Sequence, residues 1–205
     1  MAELESPSVM PKLISFLSSL LKRVAESNDL NHQQQLHQKI SVFHGLTCPT
    51  ISIQSYLERI FKYANCSPSC FIVAYVYLDR FTQRQPSLPI NSFNVHRLLI
   101  TSVMVAAKFM DDLYYNNAYY AKVGGITTIE MNFLEVDFLF GLGFHLNVTP
   151  GTFQAYCAHL QREMLLMQPL NLADSSLSLG KSLKAHLCFN EDESSSHQKQ
   201  QQLAV

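Results

Sequence analysis

Residues 98–107 are apolar on every side of a helix, and no other feature of the sequence constrains the fold as strongly. Thr101 and Ser102 are the most polar residues in this run, and both are small. A helix that is hydrophobic around its whole circumference must be covered by other parts of the protein. The run is about half as long as a membrane-spanning helix, which needs ~20 apolar residues. The pattern therefore predicts the central helix of a bundle, from about Asn94 to Phe109.

Four other segments repeat apolar residues at helical spacing and can supply that cover. They occupy residues 51–65, 67–82, 127–142 and 149–164. Three of them begin with a start signal, namely Ser67-Pro68, the capping-box pair Thr127 and Glu130, and Thr149-Pro150. A separate N-terminal helix is predicted at residues 11–24. Because no segment alternates apolar and polar residues for long enough to form a strand, the predicted fold class is all-α.

The connecting segments complete the predicted organisation. Residues 28–38 are rich in Asn, Gln and His and predict a polar linker, and the Asn- and Tyr-rich stretch after the central helix predicts a loop. The predicted domains are an N-terminal helix and linker at 1–50 and a five-helix domain at 51–168. Residues 169–205 form a polar C-terminal tail, predicted to be mostly disordered apart from a short helix at 179–187.

Charge and cysteine content exclude several classes of function. The formal net charge is −1, so no basic field draws the chain to nucleic acid or to an anionic membrane. The five cysteines are irregularly spaced, which predicts reduced thiols. The apolar run at 13–21 is too short to span a bilayer and ends in Lys22-Arg23 rather than a cleavage site. The sequence therefore predicts an intracellular protein, in the nucleus, the cytoplasm or both.

Motifs for catalysis, metal binding or a cofactor are missing from the sequence. It has no Gly-rich phosphate loop followed by Lys and no GxSxG nucleophile elbow. The acidic doublet Asp111-Asp112 lies at the end of the central helix and is interpreted as a solvated helix end. We therefore expect a binding module rather than an enzyme, with no catalytic residue, no metal and no cofactor.

Three stretches of the chain resemble the cyclin box. Residues 73–81 (VAYVYLDRF) resemble the second-helix signature of cyclins, and residues 106–109 (AAKF) match the end of the third helix. Residues 134–139 (LEVDFL) with 143–146 (GFHL) resemble the fourth helix and the loop after it. Residues 117–126 (NAYYAKVGGI) and 55–60 (SYLERI) are similar to PHO-type cyclins and their plant relatives, the U- and P-type cyclins. The order and spacing of the motifs fit a single cyclin box.

The resemblance implies a function. A cyclin box is a five-helix domain of a regulatory subunit that binds and activates a cyclin-dependent protein serine/threonine kinase. Such subunits act in cell division or in phosphate signalling, and they form a heterodimer with the kinase, for which the A-type kinase of plants is one candidate. The alternative is a cyclin-fold scaffold that binds a non-kinase protein.

The resemblance also assigns kinase-binding residues. In cyclins a Lys at the end of the third helix and a Glu in the fourth bind backbone groups next to the kinase C-helix, and these positions are Lys108 and Glu135. The apolar neighbours implied by motif position are Phe109, Leu139, Phe144 and Leu146. The other interpretation of Lys108 and Glu135 is an ordinary interhelical or surface ion pair.

The chain departs from the cell-cycle cyclins at its first box helix. Those proteins carry a stretch with an Arg that docks substrates, whereas this chain has PTISI at residues 49–53 and lacks the Arg. The Arg that usually pairs with the second-helix Asp is missing there too. The resemblance therefore supplies no partner for Asp79.

Overall fold

The computed structural model describes residues 9–32 and 40–166, which form seven α-helices and no strand. The helices are α1 (Val9–His32), α2 (Ile53–Tyr63), α3 (Pro68–Arg84), α4 (Val95–Met110), α5 (Asn117–Gly124), α6 (Thr128–Gly141) and α7 (Pro150–Leu166). The predicted all-α class is confirmed. The predicted C-terminal tail with its short helix lies outside the described residues, as does most of the predicted linker.

Helix α4 lies at the centre of the bundle. Every residue from 98 to 107 is buried, and the helix contacts α2, α3, α5 and α6. Its two hydroxyls are satisfied locally, since Thr101 Oγ1 donates to the carbonyl of Arg97 at 2.7 Å and Ser102 Oγ to that of Leu99 at 2.9 Å. The predicted central helix is therefore confirmed. Within the described ranges, no helix has the length and hydrophobicity that crossing a membrane requires.

The predicted capping box at the start of α6 is confirmed. Thr127 Oγ1 accepts a hydrogen bond from the Glu130 N–H at 3.1 Å, and Glu130 Oε2 accepts one from the Thr127 N–H at 2.9 Å. Each residue satisfies a backbone donor that the helix leaves without an intrahelical partner. The hydrogen bonds from Thr127 hold the pKa of the Glu130 carboxyl below its usual value.

Helix α3 begins at Pro68 as predicted, but the Ser67 hydroxyl makes no capping hydrogen bond to it. Instead the Ser67 N–H donates to Asp111 Oδ2 at 2.9 Å. The doublet Asp111-Asp112 lies at the end of α4 as interpreted, and Asp112 is exposed, but Asp111 is only partly exposed because it binds the Ser67 N–H. Its carboxylate joins the end of α4 to the start of α3.

The predicted loop after α4 is wrong at residues 117–124, which form helix α5. Asn116 caps this helix by accepting from the Tyr119 N–H at 3.0 Å, and Gly125 ends it in the left-handed conformation at φ +72°. The buried face consists of Tyr120, Ala121, Val123 and Gly124. Helices this short are stabilised by tertiary packing rather than by propensity, so the local sequence gives little sign of them.

Helix α1 is longer than predicted, and the linker prediction is wrong at residues 28–32. Asn28 Nδ2 donates to the carbonyl of Ile90 at 2.8 Å, and Asp29 Oδ1 accepts from the Ser92 N–H at 3.2 Å. These polar side chains bind the segment that precedes α4. The polar composition that predicted a linker therefore reflects these contacts of a helix. The apolar face of α1 is buried in the same core as the other helices, and α1 contacts α2 and α7.

Candidate functional site

The end of α4 and the middle of α6 meet at an ion pair. Lys108 Nζ lies 2.7 Å from Glu135 Oε1, and the two side chains are 25% and 19% exposed. Helix α4 presents the lysine directly after its buried run ends at residue 107. Helix α6 presents the glutamate next to Leu134, which is buried in the core. The structure thus brings together the two polar residues that the sequence assigned to the site.

Asn117, the first residue of α5, completes this polar network, and the sequence analysis missed it. Lys108 Nζ donates to Asn117 Oδ1 at 2.5 Å. Asn117 Nδ2 donates to Glu135 Oε2 at 2.7 Å and to Asn132 Oδ1 at 2.8 Å. The residue was missed because its segment was predicted to be a loop. Identifying Asn116 as a helix cap would have placed Asn117 at the first position of a helix, although its contact with Lys108 needs the structure.

The network keeps hydrogen-bonding capacity for a partner. A lysine ammonium has three donors, and two of those on Lys108 are used by Glu135 and Asn117. A carboxylate has about four lone-pair sites, of which Lys108 and Asn117 fill two on Glu135. Lys108 can therefore donate to a partner's carbonyl, and Glu135 can accept from a partner's amide, while the hydrogen bonds within the network are kept. An interhelical ion pair and a binding site are thus compatible at this position.

The four predicted apolar residues divide into two groups. Phe109 and Phe144 are 49% and 57% exposed, so their rings are accessible to a partner. Leu139 and Leu146 are half-buried and pack against the hydrophobic core. Phe109 follows Lys108 directly, and Leu139 lies one helical turn after Glu135. Phe144 is joined to Leu139 by a hydrogen bond from its N–H to the Leu139 carbonyl at 3.0 Å.

Phe144 stands in an unusual backbone conformation. Gly143 and Phe144 both have a φ of +58°. Glycine adopts this region freely, whereas a residue with a side chain loses about 1–3 kcal/mol. Such strain persists only where the surrounding structure holds it, and it is concentrated at functional sites.

An exposed apolar stripe on α6 was also missed. Ile129, Phe133, Val136 and Phe140 are all exposed, and their spacing places them on one face of the helix. The Phe140 ring makes an edge-to-face contact with Phe144, with 5.2 Å between ring centroids. From α6, the sequence assigned Glu135 and Leu139 to the site and the apolar stripe of Met131, Leu134 and Phe138 to the core, and it gave no role to these four residues. The stripe was missed because apolar residues occur on both faces of α6, and the sequence does not show which of the two faces is buried.

The partner of Asp79, which the sequence left open, is Tyr156 of α7. Asp79 is buried, and its Oδ2 accepts from Tyr156 Oη at 2.5 Å and from Gln83 Nε2 at 3.2 Å. A buried carboxylate needs such donors, since an unsatisfied charge in the core is costly. In this chain, the donors to Asp79 Oδ2 include a tyrosine hydroxyl from α7 and a glutamine amide from α3 itself. The tyrosine contact also ties α7 to α3.

Residues 49–53 border a cavity of about 280 Å³ between α1 and the start of α2. Ser18, Lys22 and His96 line it together with Ile51 and Ile53. His96 Nε2 hydrogen-bonds to the carbonyl of Ile51 at 2.9 Å, and burial lowers the pKa of this histidine. The lining of the cavity is partly polar and partly apolar. Residues 49–53 contribute no arginine to it, in line with the sequence.

Comparison with known proteins places the chain in a family. The cyclin family model matches residues 11–146. The chain is 75% identical to Cyclin-U4-1 of Arabidopsis thaliana over 203 residues, which cover 98% of each chain. It is 58% identical to Cyclin-U4-3 of the same plant, over 99% of this chain and 94% of that one. It is also 58% identical to Cyclin-P4-1 of Oryza sativa subsp. japonica, over 80% of this chain and 79% of that one. The resemblance to plant U- and P-type cyclins is confirmed, and the chain belongs to the cyclin family.

Proposed function

We propose that this chain is a regulatory subunit that binds and activates a cyclin-dependent protein serine/threonine kinase through the surface around Lys108 and Glu135. Cyclins are regulatory subunits rather than enzymes. The observation that carries the proposal is the network of Lys108, Glu135 and Asn117, which is partly shielded yet keeps donors and acceptors for a partner. The exposed rings of Phe109 and Phe144 supply apolar area beside it.

The residue types suit the backbone of a docked kinase segment. Lys108 donates to carbonyls and Glu135 accepts from amides, so together they bind both kinds of backbone group. Each charge-assisted hydrogen bond contributes about 1.5–3 kcal/mol when water is excluded. Phe109, Leu139, Phe144 and Leu146 exclude that water and add apolar burial.

Binding at this surface activates the kinase by a shift in population. The docked segment adjoins the kinase C-helix, whose Glu must reach the Lys that positions ATP. A cyclin that contacts only the inward position of this helix stabilises the active conformation by the difference in contact energy. The chain itself performs no chemical step.

The process and the individual kinase belong to the proposal as well. We place the complex in cell division or phosphate signalling, in the nucleus, the cytoplasm or both, with the A-type kinase of plants as the first partner to test. A chain that serves instead as a scaffold would capture a non-kinase protein. The same capture experiment tests the kinase subunit and the scaffold.

Affinity capture from plant extract, followed by a kinase assay on the captured complex, tests the proposal. We expect a cyclin-dependent kinase as a main partner, and phosphorylation of a protein substrate that depends on the added cyclin. Lys108→Ala and Glu135→Ala should each weaken kinase binding about 10- to 100-fold, which corresponds to one charge-assisted hydrogen bond. Leu139→Ala should weaken it through lost apolar contact.

Arg97→Ala is the matched control. Arg97 Nη2 lies 2.7 Å from Glu130 Oε1, also joins α4 to α6, and is 25% exposed like Lys108. It should lower stability comparably and leave kinase binding unchanged. Capture of only non-kinase proteins would favour the scaffold. Full kinase activation by folded Lys108→Ala and Glu135→Ala proteins would show that the surface is wrong.

A further inference from the structure

The backbone that follows α6 is held by side chains of α3. Helix α6 ends with the Gly143 N–H bonded to the Phe140 carbonyl at 2.9 Å and the Phe144 N–H bonded to the Leu139 carbonyl at 3.0 Å. This pattern is a Schellman motif, in which Gly143 takes the left-handed position. The motif accounts for Gly143. It does not require Phe144 to be left-handed as well.

Two residues of α3 bind the next three carbonyls in succession. Arg80 Nη1 donates to the carbonyl of His145 at 3.1 Å and to that of Asn147 at 3.0 Å. Tyr77 Oη donates to the intervening carbonyl, that of Leu146, at 2.7 Å. Tyr77 and Arg80 are three residues apart, so they lie on the same face of α3. The segment after Phe144 lies outside any helix. It is held by these side chains together with two backbone hydrogen bonds, from the Leu146 N–H to the Phe144 carbonyl at 2.9 Å and from the His145 N–H to the Leu142 carbonyl at 3.3 Å.

The two donors are well placed to hold a fixed conformation. The Tyr77 side chain is fully buried, so its hydroxyl has few alternative positions. Burial also raises the pKa of Tyr77, which keeps the hydroxyl protonated and able to donate. Arg80 binds both carbonyls through one nitrogen, Nη1, whose two N–H groups lie in the rigid plane of the guanidinium.

We infer that Tyr77 and Arg80 are positioning residues, which hold Phe144 in the left-handed conformation that presents its exposed ring to the kinase. The inference rests on the proposed function, because it assigns Phe144 to the kinase-binding surface. Neither Tyr77 nor Arg80 needs to touch the kinase. They bind carbonyls one to three residues beyond Phe144 and so, with the backbone hydrogen bonds of Phe144 itself, limit how far its strained backbone can relax.

The test measures kinase affinity and thermal stability of the full chain with Tyr77→Phe, Arg80→Met and Phe144→Ala. Tyr77→Phe removes one hydroxyl and keeps the ring in the core. We expect it to weaken kinase binding about three- to tenfold, the range of a single hydrogen bond. Arg80→Met, which removes two hydrogen bonds and keeps an apolar stem, should weaken binding further.

The decisive measurement is a double-mutant cycle with Phe144→Ala. If Tyr77 acts through Phe144, then Tyr77→Phe should change the kinase dissociation constant less than about twofold once the ring is gone. Its effect on melting temperature should persist in that background. A merely structural role of Tyr77 would instead give the same loss of affinity with or without the ring, and that result would overturn the inference.

Tyr56→Phe is the matched control, because Tyr56 is also buried and its hydroxyl donates to the carbonyl of Gly124 at 3.0 Å. It should lower stability like Tyr77→Phe and leave kinase affinity unchanged. Equal losses of affinity in the two variants would overturn the inference. So would normal kinase binding by Phe144→Ala, even if Lys108→Ala abolishes binding and the proposed function stands. A wild-type chain that binds no kinase would overturn both.

Discussion

Exchanging the two charges of the Lys108–Glu135 pair distinguishes two roles of the pair: an ion pair that joins two helices, and a site that binds the kinase. The single variants Lys108→Glu and Glu135→Lys place like charges at a contact of 2.7 Å between partly buried groups. The double variant restores opposite charges across the same contact. Asn117, which offers an oxygen to Lys108 and a nitrogen to Glu135, can serve the exchanged pair after rotating its amide by half a turn.

The magnitudes follow from the burial of the pair. With side chains about one-quarter and one-fifth exposed, it lies between surface pairs, which contribute about 0–1 kcal/mol, and buried pairs, whose disruption costs about 3–5 kcal/mol. We expect each single variant to lose about 2–3 kcal/mol of unfolding free energy. The double variant should recover to within about 1 kcal/mol of the wild type, measured by urea denaturation.

Kinase binding should not recover with stability. Under the proposed function, the exchanged pair presents a carboxylate where Lys108 is expected to donate to kinase carbonyls, and an ammonium where Glu135 is expected to accept from kinase amides. Loss of both charge-assisted hydrogen bonds costs about 3–6 kcal/mol, so the dissociation constant should rise at least 100-fold. Calorimetry or surface binding with purified kinase measures this constant. If the double variant binds the kinase within about threefold of the wild type, the pair acts only as an interhelical contact and the reasoning is wrong.

Three further predictions concern stability. A Cβ at Gly141 would overlap an aromatic ring of α3, so Gly141→Ala should cost about 1–3 kcal/mol in urea denaturation, whereas Gly151→Ala, where a Cβ would make only an ordinary van der Waals contact at 3.9 Å, should be nearly neutral. Tyr156→Phe removes a donor from buried Asp79 and should cost about 1–3 kcal/mol, seen as a lower melting temperature with helix content retained. Burial lowers the folded-state pKa of His96 below 6.5, so its contribution is full above pH 6.5 and falls as the pH drops through that lower pKa. Denaturation between pH 8 and 5 should show the loss, and His96→Gln should flatten it.

The sequence predicts those parts of the fold that depend on neighbouring residues. The apolar run at 98–107 identifies the central helix because its pattern extends over nearly three helical turns. The capping box of Thr127 and Glu130 is predictable because both partners lie within four residues. Lys108 and Glu135 were paired through the family resemblance, and the spacing of their helices alone would not have joined them.

The features that the sequence hides depend on contacts between distant segments. Tyr156 meets Asp79 across 77 residues, and many tyrosines in the chain were equally good candidates for that hydroxyl. Asn28 binds a carbonyl 62 residues away, so the residue that suggested a linker lies instead in a helix. Helix α5 has eight residues and is stabilised by packing on α4 and α6, which a local pattern does not record.

The position of Asn117 bears on how tightly this surface can bind. A free lysine side chain loses about 1.5–2 kcal/mol of conformational entropy when it is fixed. Here Lys108 is already held by Glu135 and Asn117, so that entropy is lost when the protein folds and not when a partner binds. Under the proposed function, Asn117 is expected to raise kinase affinity, because it places the ammonium before the partner binds. Asn117→Ala is therefore expected to weaken kinase binding through Lys108, and α5, which the local sequence did not predict, supplies that residue.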